Sequence, residues 1–321
     1  MLLNLGFIFI GVTLVLWGAD KLTDGSVAIA QKMRVSQVII GLTVVAMGTS
    51  MPEFSVSLVS ALKGTSDLAI GNVIGSNIIN SLFIVGVSAM FSPILITPIT
   101  IKKDIPFALV SSVVLMMLCY DGMIGRIDAG IIFAMFIIFM IKTLQEAKSD
   151  VKIDKANSKS IISENIISEK QHKKIWVSVI WIIVGLLCLI LGSNLFVSGA
   201  VKVASSLGVS DAIIGLTIVA GGTSLPELAT SVVAARKGDS GIAIGNVIGS
   251  NIFNILAILG VTGLIHPMLL QGITMFDLSI MVISMILIWF LSFTKYTIER
   301  WEGFCLIVVF IGYMVKLLVS I

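Results

Sequence analysis

Residues 36–93 and 210–267 align without a gap at a constant offset of 174, with 35 of 58 positions identical. A chain built this way places two near-identical units in one fold, so a site at their junction is made of matched halves. At the centre of each copy a glutamate follows a proline inside an apolar stretch, in Gly48-Thr49-Ser50-Met51-Pro52-Glu53 and Gly222-Thr223-Ser224-Leu225-Pro226-Glu227. An ionised carboxylate at membrane depth costs at least about 2.5–3.5 kcal/mol, so such a residue marks a functional site by default. Two of them, at matching places of two repeats, point to a transport site where the halves meet.

Composition supplies the membrane that this argument needs. The chain is 57% hydrophobic and 12% charged, against about 25% charged in a soluble domain. Apolar runs predict ten spans, near 3–23, 36–61, 68–90, 103–120, 126–144, 175–202, 210–235, 242–265, 273–293 and 300–320. Each is long enough to cross a hydrocarbon core of about 30 Å, whereas barrel strands are about 9–11 residues with alternating polarity. With no basic segment and no small-residue cleavage site before Asp20, the first span is expected to be kept. Cys119, Cys188 and Cys305 lie scattered in apolar runs with no CxxC pair, and His172 and His266 fall in connecting segments, which argues against soft or imidazole-based metal chemistry.

Residues 142–174 break the pattern with eight lysines and five acidic residues. They read as a solvated linker between a first half, 1–141, and a second, 175–321. With ten spans, that linker and the loops after spans 1, 3, 7 and 9 share one side and carry 16 of the 21 basic residues. The positive-inside rule makes that side cytoplasmic, in a multi-pass cell-membrane protein with both termini outside. Equivalent points of the repeats are then five crossings apart, an odd number, so the copies are inverted. The expected fold is an all-α integral membrane protein, ten transmembrane helices in two inverted five-helix repeats, with helices 2 and 7 broken. Duplication for packing alone fits less well, because the closest matches are the polar, membrane-embedded positions.

Pro52 and Pro226 cannot donate a backbone N–H, so the helix breaks near each. Such a break is tolerated at membrane depth only where it is buried in protein or lines a water-filled cavity. Carbonyls near Ala46 and Gly48 are expected to be freed beside Thr49, Ser50 and Glu53, and Ala220, Gly222, Thr223, Ser224 and Glu227 repeat the set. Ser50-x-x-Glu53 and Ser224-x-x-Glu227 also fit a capping box, but capping does not explain Glu over Gln. In the next span Ser76 and Asn80 share a helical face, as do Ser250 and Asn254. Gly71-x-x-x-Gly75 and Gly245-x-x-x-Gly249 let helices approach closely. Asn72, Asn77, Asn246 and Asn251 are either ligands or interhelical hydrogen bonders, the second being the better reading. The inventory is all oxygen, which suits Ca2+ and Na+. Two ionised glutamates would be neutralised by one Ca2+ or two Na+, the physical basis of exchange.

The paired Gly-Thr-Ser-x-Pro-Glu and Gly-Asn-Val-Ile-Gly-Ser-Asn-Ile-x-Asn blocks resemble the alpha repeats of the Na+/Ca2+ exchangers, within the cation/Ca2+ antiporter superfamily, and the resemblance to prokaryotic ten-span members covers essentially the whole chain. It implies electrogenic antiport of several Na+ against one Ca2+ by alternating access, with the first and sixth spans sliding as a gate. It places ion ligands at Glu53, Glu227, Thr49, Thr223, Ser50, Ser224, Ser76, Ser250 and Asn80, with backbone carbonyls at Ala46 and Ala220. Where archaeal relatives and the potassium-dependent branch carry Asp, this chain has Asn254, which favours transport independent of K+. The linker has no room for calcium-sensing domains. The rival is a Ca2+ antiporter coupled to H+ or K+. A channel is disfavoured by the broken inverted repeats, and an enzyme by the lack of a histidine in a span to activate Ser50 or Ser224. No cofactor, nucleic acid or obligate protein partner is expected, only the transported ions and the lipid bilayer. Asp20, Lys21 and Asp24 read as interfacial, and Asp277 as a weak further ligand candidate.

Overall fold

The computed structural model describes residues 2–160, 175–208 and 220–319. Twelve helices occupy them: α1 (Leu2–Met33), α2 (Gln37–Thr49), α3 (Met51–Leu62), α4 (Ser66–Phe91), α5 (Thr100–Asp121), α6 (Arg126–Ser160), α7 (Ile175–Ser206), α8 (Ala220–Thr223), α9 (Leu225–Arg236), α10 (Ser240–Ile265), α11 (Met275–Ser292) and α12 (Arg300–Val319). Among the described residues seven are long and apolar enough to cross a membrane, or eight if the bent pair α2–α3 is one span. The start of the predicted seventh span and of the second repeat, residues 210–219, lies outside the described residues, as do His172 and the rest of 161–174.

The equivalent helices α4 and α10 lie at the centre, α10 buried along its whole apolar length. Ile70, Ile74 and Ile78 pack with Ile244, Ile248 and Ile252 in one continuous core. A helix that is apolar all round has to be enclosed on every side. Ser76, Asn77, Asn80 and Ser81 of α4 and Asn246, Ser250, Asn251 and Asn254 of α10 are buried, shielded from lipid and water alike.

Outside this core α1 and α7 pack along each other through a glycine stripe. A Cβ placed on Gly11 would meet the Gly192 carbonyl oxygen at 2.7 Å, on Gly18 that of Gly185 at 2.7 Å, and on Gly25 that of Ser178 at 2.8 Å. Residue numbers rise on one helix as they fall on the other, so the two run antiparallel. Gly11, Gly18 and Gly25 also map onto Gly185, Gly192 and Gly199 at the offset of 174. The glycines recur every seven residues, the spacing that keeps a seam facing its partner. Gly185→Ala would set its Cβ 2.8 Å from Gly18 O and from Leu22 N, backbone atoms that cannot swing aside. Overpacking of this kind costs about 1–3 kcal/mol. The expected result is a thermal unfolding midpoint several degrees below wild type, with Gly312→Ala, whose Cβ meets nothing within 4 Å, unchanged.

Two short antiparallel ladders tie the halves at their ends. β1 (Ile94–Leu95) pairs with β4 (Thr297–Ile298), and β2 (Met123–Ile124) pairs with β3 (Met268–Leu269). Each ladder maps onto the other at the offset of 174. The predicted linker differs in one respect: α6 continues to Ser160, well into 142–174. No glycine or proline follows Gly130 in this helix, and straight-chain residues lose little rotamer freedom in a helix, so charge alone does not end it. Glu146 pairs with Lys103 of α5, and Asp150 accepts the Ser36 N–H at 3.3 Å ahead of α2.

Candidate cation site

The site is built from two breaks and two buried helices. α2 and α3 meet at an angle of 47°. Ser50 sits between them at φ −84°, ψ 9°, and Ser224 between α8 and α9 is nearly identical at φ −87°, ψ 5°. Each break is followed by a proline in the first turn of the restarting helix, where its missing N–H leaves no bond unmade. Glu53 and Glu227 fall in those same first turns and are 1% and 0% exposed.

The breaks serve each other. Ser50 Oγ donates to Glu227 Oε1 at 2.9 Å, and Ser224 Oγ lies 3.4 Å from both Glu53 Oε1 and Ser76 Oγ. Thr223 stands beside the Glu53 carboxylate and Thr49 beside that of Glu227. Thr49 also donates to Asn246 Oδ1 at 3.1 Å. Asn72 Nδ2 donates to the Glu53 carbonyl at 3.1 Å and to Ser57 Oγ at 2.9 Å, matched by Asn246 to the Glu227 carbonyl at 3.3 Å and Ser231 Oγ at 2.9 Å. These asparagines anchor the backbone of each glutamate to α4 and α10.

Among the described residues, five of the nine buried side-chain oxygens with no hydrogen-bond partner belong to predicted site residues: Oε2 of Glu53, Oε2 of Glu227, Oδ1 of Asn80, Oδ1 of Asn254 and Oγ of Ser250. A buried polar group left unpaired costs about 1–3 kcal/mol, and more when charged. Four of the five form matched pairs across the repeats. All are oxygens, and among the described residues no group of three or more His, Cys, Asp or Glu exists that could hold a metal. Two carboxylates with neutral oxygens around them suit a hard cation. Asn80 and Asn254 both lie in π-helical turns, Ile79–Ile84 and Phe253–Leu259, and another such turn, Gly41–Val45, precedes the first break. Turns of this kind are frequent at functional sites.

Some expectations are corrected. Neither capping box forms, because the Ser50 and Ser224 side chains reach across to the opposite glutamate instead of back onto their own helix. The Ala46 carbonyl is not freed: helix continues through Thr49, so Ala46 O accepts the Ser50 N–H at 3.0 Å and the Thr49 hydroxyl at 3.3 Å. The Gly222 carbonyl accepts the Ser193 hydroxyl of α7. Ala220 is described by its backbone alone, in the single turn of α8. Asp277 lies away from the site; it closes a capping box with Thr274 and accepts from Tyr313 at 3.1 Å. Asp20 and Asp24 are ion-paired, with Lys237 after α9 at 2.5 and 2.8 Å. Burial works against the charge on Lys237, and its bonds to these two carboxylates outweigh that, so its pKa is raised. Lys21 lies 5.4 Å from the Trp181 ring centroid.

A buried, all-oxygen cage at the junction of two matched helical halves defines an ion-handling membrane protein. The family described as sodium/calcium exchanger protein matches residues 3–144 and 177–319, and the chain belongs to that family. It is 32% identical to the sodium/calcium exchanger MaX1 of Methanosarcina acetivorans, over 98% of both chains. It is 35% identical to the inner membrane protein YrbG of Escherichia coli, over 83% of this chain and 81% of that one. Among solved structures, the sodium-calcium exchanger NCX_Mj superposes with a TM-score of 0.83 at 32% identity, covering 98% of each chain.

Proposed function

We propose that this chain exchanges Na+ for Ca2+ across a cell membrane by alternating access, and that the cage is where both ions bind. The observation that carries the reading is the set of five unpartnered buried oxygens, two of them on carboxylates held by each other's half. Glu53, Glu227, Ser50, Ser224, Ser76, Ser250, Thr49, Thr223, Asn80 and Asn254 supply side-chain oxygens, and Ala46 and Ala220 backbone carbonyls. Ala46 O keeps the Ser50 N–H for the helix and offers its other lone pair when the single proton of the Thr49 hydroxyl goes to Asn246 Oδ1 instead.

Ten spans in two inverted repeats remain the reading of the whole chain. Support comes from α1 and α7, equivalent helices that run antiparallel, and from the two ladders that map onto each other. The basic residues put the linker in the cytoplasm and both termini outside. The α1–α7 pair is the element that slides, since its seam is backbone on backbone and moves as one piece. With Asn254 neutral the cage carries −2, which one Ca2+ or two Na+ compensates. Exchange of more than two Na+ for each Ca2+ is then electrogenic and needs no K+.

The test is Ca2+ uptake into proteoliposomes with Na+, K+ and H+ gradients imposed one at a time. An outward Na+ gradient alone is expected to drive uptake, and faster with an inside-positive potential, because more than two Na+ leaving for each Ca2+ entering carries net positive charge outward. Uptake driven by K+ or H+ without Na+ would replace this reading with the rival coupling.

A further inference from the structure

The amides of Asn80 and Asn254 each have an oxygen that attracts a cation and an NH2 that repels one, and half a turn of the terminal torsion exchanges them. Asn254 Nδ2 donates to Asn77 Oδ1 at 3.1 Å, and Asn77 Nδ2 donates to the backbone carbonyl of Asn251 at 3.2 Å. A backbone carbonyl only accepts, so Asn77 has to turn its NH2 toward Asn251 and its oxygen toward Asn254. Asn254 then has to donate outward, and its Oδ1 is the atom left unpartnered within the protein.

The other copy works the same way. Asn80 Nδ2 donates to Asn251 Oδ1 at 3.2 Å, and Asn251 Nδ2 donates to Ser81 Oγ at 2.8 Å and Met285 Sδ at 3.4 Å. A thioether only accepts, which again fixes the direction. All four asparagines are at most 1% exposed, so no water competes for these bonds.

We propose that Asn77 and Asn251 are positioning residues that set the ion preference of the cage, by holding the Asn254 and Asn80 amides with only their oxygens inward. This rests on the cage being the Ca2+ and Na+ site. The energy of a cation with a fixed dipole scales with the ion's charge, so an inward carbonyl favours Ca2+ twice as much as Na+ at equal distance. Freeing the amide therefore weakens Ca2+ binding by roughly the square of the factor lost for Na+. The same chain explains why position 254 carries an amide: a carboxylate there would set oxygen against Asn77 Oδ1.

The experiment measures uptake by the reconstituted full chain as a function of Ca2+ at fixed Na+ gradient, and of Na+ at fixed Ca2+. Outer supports of a metal site are worth about 10–100-fold in affinity. Asn77→Ala is expected to raise the KM for Ca2+ by that factor and the half-saturating Na+ by only about 3–10-fold, its square root, with the rate at saturating Ca2+ retained. Asn77→Asp keeps an oxygen facing the Asn254 amide but gives up the donor to the Asn251 carbonyl, and should raise the Ca2+ KM clearly less than Asn77→Ala does. Equal shifts for both ions, no shift, or the same rise in Asn77→Asp as in Asn77→Ala overturns the positioning role. Asn251→Ala, which frees Asn80, gives the same comparison where Asn77→Ala does not fold. Failure of the wild-type protein to couple Ca2+ to Na+ overturns the function itself, and so is told apart from failure of this inference.

Discussion

Glu53→Gln and Glu227→Gln are each expected to abolish Na+-driven Ca2+ uptake while the protein still folds. Glutamine keeps the volume of the side chain and can still accept from the serine that reaches across. What it removes is one of two negative charges in a cage whose neutral oxygens cannot compensate a divalent ion alone. Bound Ca2+ would then leave a net positive charge buried against α4 and α10. Breaking a buried charge pair by removing one partner costs about 3–5 kcal/mol, which is about a hundred- to several-thousand-fold in affinity. Because the halves hold each other's carboxylates, the two variants should fail alike, a symmetry that a site built in one half alone would not show. The measurement is Ca2+ uptake in proteoliposomes, with size-exclusion and thermal unfolding of the same preparations as the check on folding. Near-normal flux in either variant would remove that glutamate from the site.

Much of this site was legible because its chemistry is local and said twice. Pro52 and Pro226 announce the breaks, and a glutamate beside each in apolar surroundings has no bland explanation once Gln is considered. The register of Ser76 with Asn80, and of Ser250 with Asn254, needs only helical periodicity. What stayed hidden is what depends on contacts distant in sequence. Ser50 reads as a cap for its own helix, and only the packed halves show Glu227 2.9 Å from its hydroxyl. Met281 and Met285 look like core filler, yet their sulfurs accept from the asparagine chains. The glycines of α1 and α7 stood at the repeat offset all along, but the surrounding apolar residues have diverged, so the match emerges only when their backbones touch. Helix α6 outran its predicted end because polarity marks where a membrane stops, not where a helix does.

Gly249→Ala is expected to cut Ca2+ uptake at least tenfold, although it adds a single methyl group and removes no proposed ion ligand. Gly249 faces α2 at a place with no room for a side chain. A Cβ there would lie 2.6 Å from Leu42 Cα, 2.7 Å from Leu42 O and 2.7 Å from the Ala46 Cβ. None of these atoms belongs to a side chain that can rotate away, so the helices have to part. Two carriers of the proposed cage move with them: Ser250, the next residue on α10, and Ala46, whose carbonyl holds the last turn before the break. Site geometry has to be kept within about 0.5 Å, and a misplacement of about 1 Å can cost 100-fold. The stability cost of one added methyl is modest, about 1–3 kcal/mol, so folded protein should be recovered and its flux measured directly. Gly245→Ala, one turn away, meets Val38 O at 2.7 Å and Gly41 Cα at 3.0 Å and should weaken flux less, since no proposed ligand adjoins it. The outcome that counts against this account is a Gly249→Ala protein with wild-type flux, because α10 would then not be holding the cage through its contact with α2.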